Sequence, residues 1–170
     1  VIPAPWKVIG DKLWTSDEVF EQDDLPKRIA VIGLGVIGLE LGQDLARLGV
    51  EVTGIEMQQT LGGLSAPQVI GEAVSEFGKE FDVHLGQAAD VKLNPDNEDE
   101  VMITLGEDAI YVDAVLASLG RRPNNDNLNL SAAGIALDER GMPKINLHTA
   151  QIEDKPIFIA GDVNGFRQIL

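Results

Sequence analysis

Apolar positions along this chain fall into blocks whose period changes. Ile29–Ile32 is an unbroken apolar run, as expected of a strand covered on both faces, and a first strand is expected over 28–33. Ile37, Leu41, Leu45 and Leu48 then recur at helical spacing. They predict a helix over about 36–48 that stops at Gly49. A second strand is expected at 51–56. After Gly62-Gly63, the positions Val69, Ala73, Val74 and Phe77 predict the apolar face of a second helix over about 66–80, followed by a third strand at 81–85. The period then becomes alternating. Residues 87–93, 100–105 and 108–113 read as an antiparallel meander whose acidic first turn covers 94–99. Residues 114–119 read as a buried strand, 121–150 as turn-rich, and Ile157–Ala160 as a last buried strand before Gly161-Asp162. Pro3, Pro5 and Pro26 punctuate a charged stretch, so 1–27 reads as a linker, with one short helix capped at Thr15–Glu18 and running through Phe20.

The junction of the first strand and first helix carries the chemistry. It reads Gly33-Leu34-Gly35-Val36-Ile37-Gly38, a G-x-G-x-x-G turn in strand–turn–helix context. Gly33 allows the tight turn, Gly35 lets a pyrophosphate approach the backbone, and Gly38 lets the helix pack closely. The helix N-terminus then offers unpaired N–H groups and a favourable dipole to an anion. Glu56 closes the second strand about twenty residues on, where an acid meets the adenosine ribose hydroxyls. That carboxylate repels a 2′-phosphate, and Met57, Gln58, Gln59 and Thr60 supply no cation, so NAD(H) is expected over NADP(H). The βαβαβ order implies a parallel sheet with right-handed crossovers. The expected fold is α/β: a Rossmann-like parallel sheet flanked by helices, with a three-stranded antiparallel meander in place of one crossover helix.

Composition narrows the classes. A length of 170 residues with 44% hydrophobic content suits one packed domain with room for an appendage. The formal charge of −15 and scattered basic residues argue against a nucleic-acid partner. No apolar run reaches membrane-spanning length, and the first residues lack the pattern of a signal peptide. The absence of cysteine leaves no thiol nucleophile, disulfide or thiolate metal site, and suits a cytoplasmic location. The missing initiator Met suggests processing or a piece of something longer. His84, with Asp82 two residues earlier, and His148 lack partners for a metal site, and Asp96–Glu100 lacks the spacing of a calcium loop; none is expected to bind a metal.

Four stretches, in order, carry a resemblance: Leu25–Gly33, Gly35–Glu40, Leu119–Asn124 and Ile157–Asp162, with the meander between the second and third. The chain resembles the flavin-dependent pyridine nucleotide–disulfide oxidoreductases, with the dihydrolipoamide dehydrogenase branch the nearest pattern. The resemblance implies the FAD/NAD(P)-binding fold and covers the NAD domain (28–150), the linker entering it from an absent FAD domain (1–27) and a segment returning to FAD (151–170). It implies that the Gly33–Gly38 turn holds the pyrophosphate and Glu56 the adenosine ribose. Glu40, read as lying on the first helical turn, is implied to contact the nicotinamide end, Ala89 the adenine, and Gly120 to lie along the NAD. Asp162 is implied to bond the FAD ribityl chain, with that contact region resuming at 168–170. The redox cysteines and the acid–base His-Glu pair of such enzymes are not in this sequence.

The implied parent is a homodimer that passes hydride between FAD and NAD. These residues alone are expected to be inactive, to hold no catalytic residue, and to bind NADH weakly. Two alternatives stay open: a stand-alone NAD-sensing module, or the NAD domain of an NADH oxidase, mercuric reductase or ferredoxin reductase. The larger-enzyme reading predicts exposed apolar surface near 1–27 and 157–170, where absent domains would pack.

Overall fold

The computed structural model describes residues 1–164, which divide into two compact units, Val1–Gly120 and 121–164. The first unit contains, in chain order, β1 (Leu13–Trp14), β2 (Arg28–Ile32), α1 (Val36–Arg47), β3 (Glu51–Glu56), α2 (Pro67–Phe77), β4 (Asp82–Leu85), β5 (Asp90–Asn94), β6 (Asn97–Leu105), β7 (Asp108–Val112) and β8 (Ala114–Ala117). Five strands form one parallel sheet in the order β1-β8-β2-β3-β4, and β5-β6-β7 form the antiparallel meander. The α/β architecture is the one the sequence predicts.

Alternation within β2 explains why its sequence is apolar throughout. Ile29 and Val31 join a core with α1 and α2, together with Val52, Phe81 and Leu116. Ala30 and Ile32 join a second core on the opposite face, with Trp6, Ile55, Val91, Ile103 and Val115. A strand buried on both sides cannot alternate apolar with polar. The meander therefore covers the face that the helices leave open.

Several boundaries differ from expectation. Residues 1–27, expected as a linker, bury Trp6, Ile9, Leu13, Trp14 and Val19, form a 3₁₀ helix over Ala4–Lys12, and add β1 to the sheet edge. The short helix expected there is a 3₁₀ turn over Glu18–Glu21 whose N-cap, Asp17, makes no side-chain cap; just ahead of it Thr15 N–H donates to Glu18 Oε2 (2.8 Å) and Glu18 N–H to Thr15 Oγ1 (3.5 Å). Leu48 caps α1 and is exposed, while Leu39 is buried; Val69 on α2 is also exposed. The meander hairpin is tighter than expected, since β6 already begins at Asn97.

The second unit has a small core of Leu130, Ile135, Ile152 and Ile159. The strand expected at 157–160 is not a ladder strand: Phe158 makes one isolated bridge, to Gln151. The first compact unit ends at Gly120 and the second begins at Arg121.

At the amino end of the parallel sheet, Arg28 Nη2 bonds Asp113 Oδ1 (2.6 Å) and Glu100 Oε1 (2.9 Å), and Arg28 N–H donates to Asp113 Oδ2 (2.9 Å). Buried Asn94 donates to Glu100 Oε2 (3.0 Å), tying the hairpin to the same cluster. Hydrogen bonds to Asp113 and then Glu100 raise the Arg28 pKa. The bond from Arg28, then that from Asn94, lowers that of Glu100. For Asp113 partial burial pushes upward, but the side-chain and backbone bonds from Arg28 outweigh it and the pKa is lowered.

Candidate nucleotide site at the carboxyl edge of the sheet

Because β2, β3, β4 and β8 are parallel, their carboxyl ends share one edge. From β2 the chain crosses to β3 on one side and later returns to β8 on the other. Such a reversal of strand order leaves a crevice outside the strand ends, where open α/β sheets bind ligands. The segments leaving β2, β3 and β8 carry the Gly33–Gly38 turn, Glu56 and Gly120 to this edge.

The three glycines of the turn meet different constraints. Gly33 has φ +95°, and a Cβ there would lie 2.4 Å from the Ser118 carbonyl oxygen. A Cβ on Gly38 would lie 2.0 Å from the Gly33 carbonyl oxygen, so that glycine lets α1 press on the turn itself. Both are dictated by backbone packing. Gly35 is not: its φ is −67°, and a Cβ would meet nothing within 4 Å. Gly35 and Val36 are exposed, and no side chain caps α1. The mouth of the turn is therefore open, with helix N–H groups lacking a side-chain acceptor.

Leu34 points into the core at 1% exposure. Its N–H donates to Glu56 Oε2 (2.9 Å), and its carbonyl accepts from Gly62 N–H (2.8 Å). Glu56 Oε1 accepts from Gln58 N–H (3.0 Å). The carboxylate thus lies against the glycine turn, half-buried, and each oxygen keeps a further lone pair for a sugar hydroxyl. Gly62, read only as a break, fastens the loop after β3 to the turn. The loop after β4 is fastened as well, through Gly86 N–H to the Gln58 carbonyl (3.1 Å) and Gln87 N–H to the Glu56 carbonyl (3.1 Å). Sequence reasoning missed Gly86; the signal was a glycine directly after a strand, and its φ is +69°.

Other expected residues are placed less distinctively. Glu40 is exposed and is the fifth residue of α1, past the first turn, where no acid stands. Ala89 is half-buried against the meander-side core. Gly120 is exposed with φ +84°. Asp162 begins a short 3₁₀ turn, its side chain is outside the described structure, and 168–170 lie outside the described residues. His84 is half-buried on β4, and His148 N–H bonds Asn146 Oδ1 (2.9 Å). Among the described residues no group of three or more His, Asp or Glu could hold a metal, and no helix is long and apolar enough to cross a membrane.

Residues 4–169 match the family described as pyridine nucleotide-disulphide oxidoreductase. The chain belongs to this family. It is 34% identical to a dihydrolipoyl dehydrogenase of Haloferax volcanii over 96% of its own length and 35% of that protein's. It is 34% identical to a mercuric reductase of Acidithiobacillus ferrooxidans over 88% of its length and 27% of the relative. The chain thus spans about a third of the curated relatives it matches. Its fold superposes on that of the flavoprotein disulfide reductase RclA of Escherichia coli with TM-score 0.86 at 23% identity, over 99% of this chain and 39% of that one. LpdA of Mycobacterium tuberculosis gives TM-score 0.81 at 24% identity, over 99% and 37%.

Proposed function

We propose that these residues are the NAD(H)-binding part of a flavin-dependent disulfide oxidoreductase of the dihydrolipoyl dehydrogenase type. The observation that carries the reading is the open turn at Gly35, with the Glu56 carboxylate bonded to the amide of Leu34 beside it. A diphosphate fits this mouth because the donors are backbone amides, which hold an anion locally although the chain is strongly acidic. Glu56 accepts from the ribose hydroxyls and disfavours a 2′-phosphate. Glu40 orients the nicotinamide end, Ala89 packs at the adenine, and Gly120 lies along the dinucleotide. NAD, when bound, supplies the hydride acceptor. This chain contributes position, which matters because hydride transfer needs near-contact between donor and acceptor carbons.

In the parent, residues 1–27 enter from an FAD domain and 151–170 return to it, Asp162 meets FAD, and the enzyme is a cytoplasmic homodimer. Exposed Val8 and Phe20 in the first unit, and Phe158 in the second, support this reading as surfaces for absent domains. Equal identity to a mercuric reductase supports a second reading in which the parent reduces a metal ion rather than a disulfide. Without cysteine the 170 residues turn over neither substrate.

Calorimetry tests the proposal: NADH binds weakly, NADPH more weakly still, and no NADH oxidation accompanies lipoamide. Binding of NADPH in preference to NADH overturns the assignment.

A further inference from the structure

Resting on the reading of this crevice as a dinucleotide site, we propose that Gly62 is a positioning residue for its diphosphate end. From the loop after β3, the N–H of Gly62 fixes the direction in which the Gly35 N–H points.

The coupling is a property of one peptide plane. Gly62 N–H donates to the Leu34 carbonyl (2.8 Å). The Leu34–Gly35 peptide is trans, so its carbonyl and its N–H point in opposite directions within one plane. A carbonyl held from the Gly62 side therefore sends the Gly35 N–H the other way. Gly35 is exposed, a Cβ on it would meet nothing within 4 Å, and among the described residues no acceptor takes its N–H. The rest of the turn is restrained from β3 as well: Gly33 N–H donates to the Ile55 carbonyl (2.8 Å) and Leu34 N–H to Glu56 Oε2 (2.9 Å). The last restraint before the open mouth is the one from Gly62.

The Gly62 loop is itself firmly held. Leu61 is fully buried in the helix-side core, which also contains Leu34 and Leu39. Leu64 N–H donates to the Leu61 carbonyl (3.0 Å) and Thr60 Oγ1 donates to the Leu64 carbonyl, so the loop closes on itself. Gly62 has φ +61°, in the left-handed region, and a Cβ there would lie 3.1 Å from Leu39 Cδ1. Glycine presents the N–H from that conformation without strain. Gly63 shares the conformation, with φ +75°, but a Cβ on it would meet nothing within 4 Å, and among the described residues its backbone makes no bond to the turn. Hydrogen bonds in series across one peptide also reinforce each other. An anion on the Gly35 N–H polarises the Leu34 carbonyl and strengthens its bond from Gly62.

NMR titration of the full 170-residue chain with NADH tests this. In the parent sequence the Gly62 amide proton moves downfield as NADH binds. Gly62→Val and Gly63→Val impose similar left-handed strain, but only the first disturbs the bond to Leu34. Gly62→Val weakens NADH binding by about fivefold or more, part of the worth of one hydrogen bond to a charged group, and displaces the Gly35 amide resonance in the free chain. Gly63→Val stays within about twofold of the parent. Gly62→Asn keeps most of the affinity, because asparagine tolerates the left-handed backbone. Equal weakening by Gly62→Val and Gly63→Val, or none by Gly62→Val, overturns the proposal. So does an unmoved Gly62 amide in the NADH-bound parent, the measurement that decides should Gly62→Val not fold. A parent chain that binds no NADH at all overturns the dinucleotide reading itself, and this proposal falls with it.

Discussion

The two ends of the parallel sheet solve opposite problems. At the amino end, side-chain charges face one another: Arg28 is bonded by Asp113 and Glu100, and Asn94 satisfies Glu100 in turn. Farther out at the same end, Arg47 bonds Glu80. Both arginines there meet carboxylates of the same chain. At the carboxyl end the Glu56 carboxylate bonds to the backbone amides of Leu34 and Gln58. Helix N–H groups beside Gly35 are left without a side-chain acceptor. One end is closed electrostatically and holds the layers together; the other is held open by glycine.

The sharpest test of that contrast is to close the open end from within. Gly33→Ala sets a Cβ 2.4 Å from a carbonyl oxygen at φ +95°. Overpacking and left-handed backbone strain add, so the expected loss of stability is about 3–5 kcal/mol. Gly38→Ala, with its 2.0 Å encounter with the Gly33 carbonyl, is expected to lose about 3 kcal/mol. Urea unfolding measures both. A loss under about 1 kcal/mol in either would show the turn to be adaptable.

Gly35→Val separates binding from folding. Its φ suits any residue and its Cβ points into open space, so stability falls by only about 1 kcal/mol, the cost of a poor helix cap. NADH affinity falls by about tenfold or more, because the side chain occupies the approach of the diphosphate. Unchanged affinity in calorimetry would place the ligand elsewhere.

Why these glycines can be told apart only in three dimensions bears on how much the sequence reveals. The turn was legible because its spacing is fixed by backbone geometry, and β3 was legible to the residue because both ends carry polar punctuation. Residues 1–27 were not. A 3₁₀ helix and a two-residue strand bury Trp6, Ile9, Leu13 and Trp14 without the 3.6 or 2.0 period that marks longer elements. Ile157–Ala160 misled in the opposite sense. Its exposure alternates as a strand's does, with Ile159 buried and Phe158 exposed, yet one bridge is its only ladder contact among the described residues. Pattern reports which side of a segment is covered, not whether a neighbouring strand exists. The Glu56–Leu34 bond had no periodic signature either, because it joins two strand ends brought together by sheet order.

The closed end yields smaller effects, ordered by shelter. Asp113→Ala removes the acceptor of both an Arg28 side-chain bond and an Arg28 backbone bond. Discounted for partial solvent screening, the expected loss is roughly 1 kcal/mol at neutral pH. The Asp113 pKa is depressed in the folded state, so its contribution is present above the unfolded value and is lost as pH falls through the folded one. The parent sequence therefore loses stability through and below the ordinary aspartate range, and Asp113→Ala shows a shallower acid limb. Equal acid limbs would mean that the Arg28 cluster is energetically idle.

Arg47→Met should do least, although its bonds to Glu80 are as short as those at Arg28: Nε to Oε2 is 2.7 Å and Nη2 to Oε1 is 2.9 Å. The difference is solvent. The Arg47 side chain is 61% exposed, against 33% for Arg28, so water and salt screen the pair and holding two long side chains costs entropy. Glu80 also accepts from Gln43 (2.7 Å) and keeps a partner when Arg47 is lost. The expected result is an unfolding midpoint indistinguishable from the parent's, in low and high salt alike. A clear drop confined to low salt would show that the outer pair shares in closing this end of the sheet, and the contrast would then extend from a sheltered cluster to the whole edge.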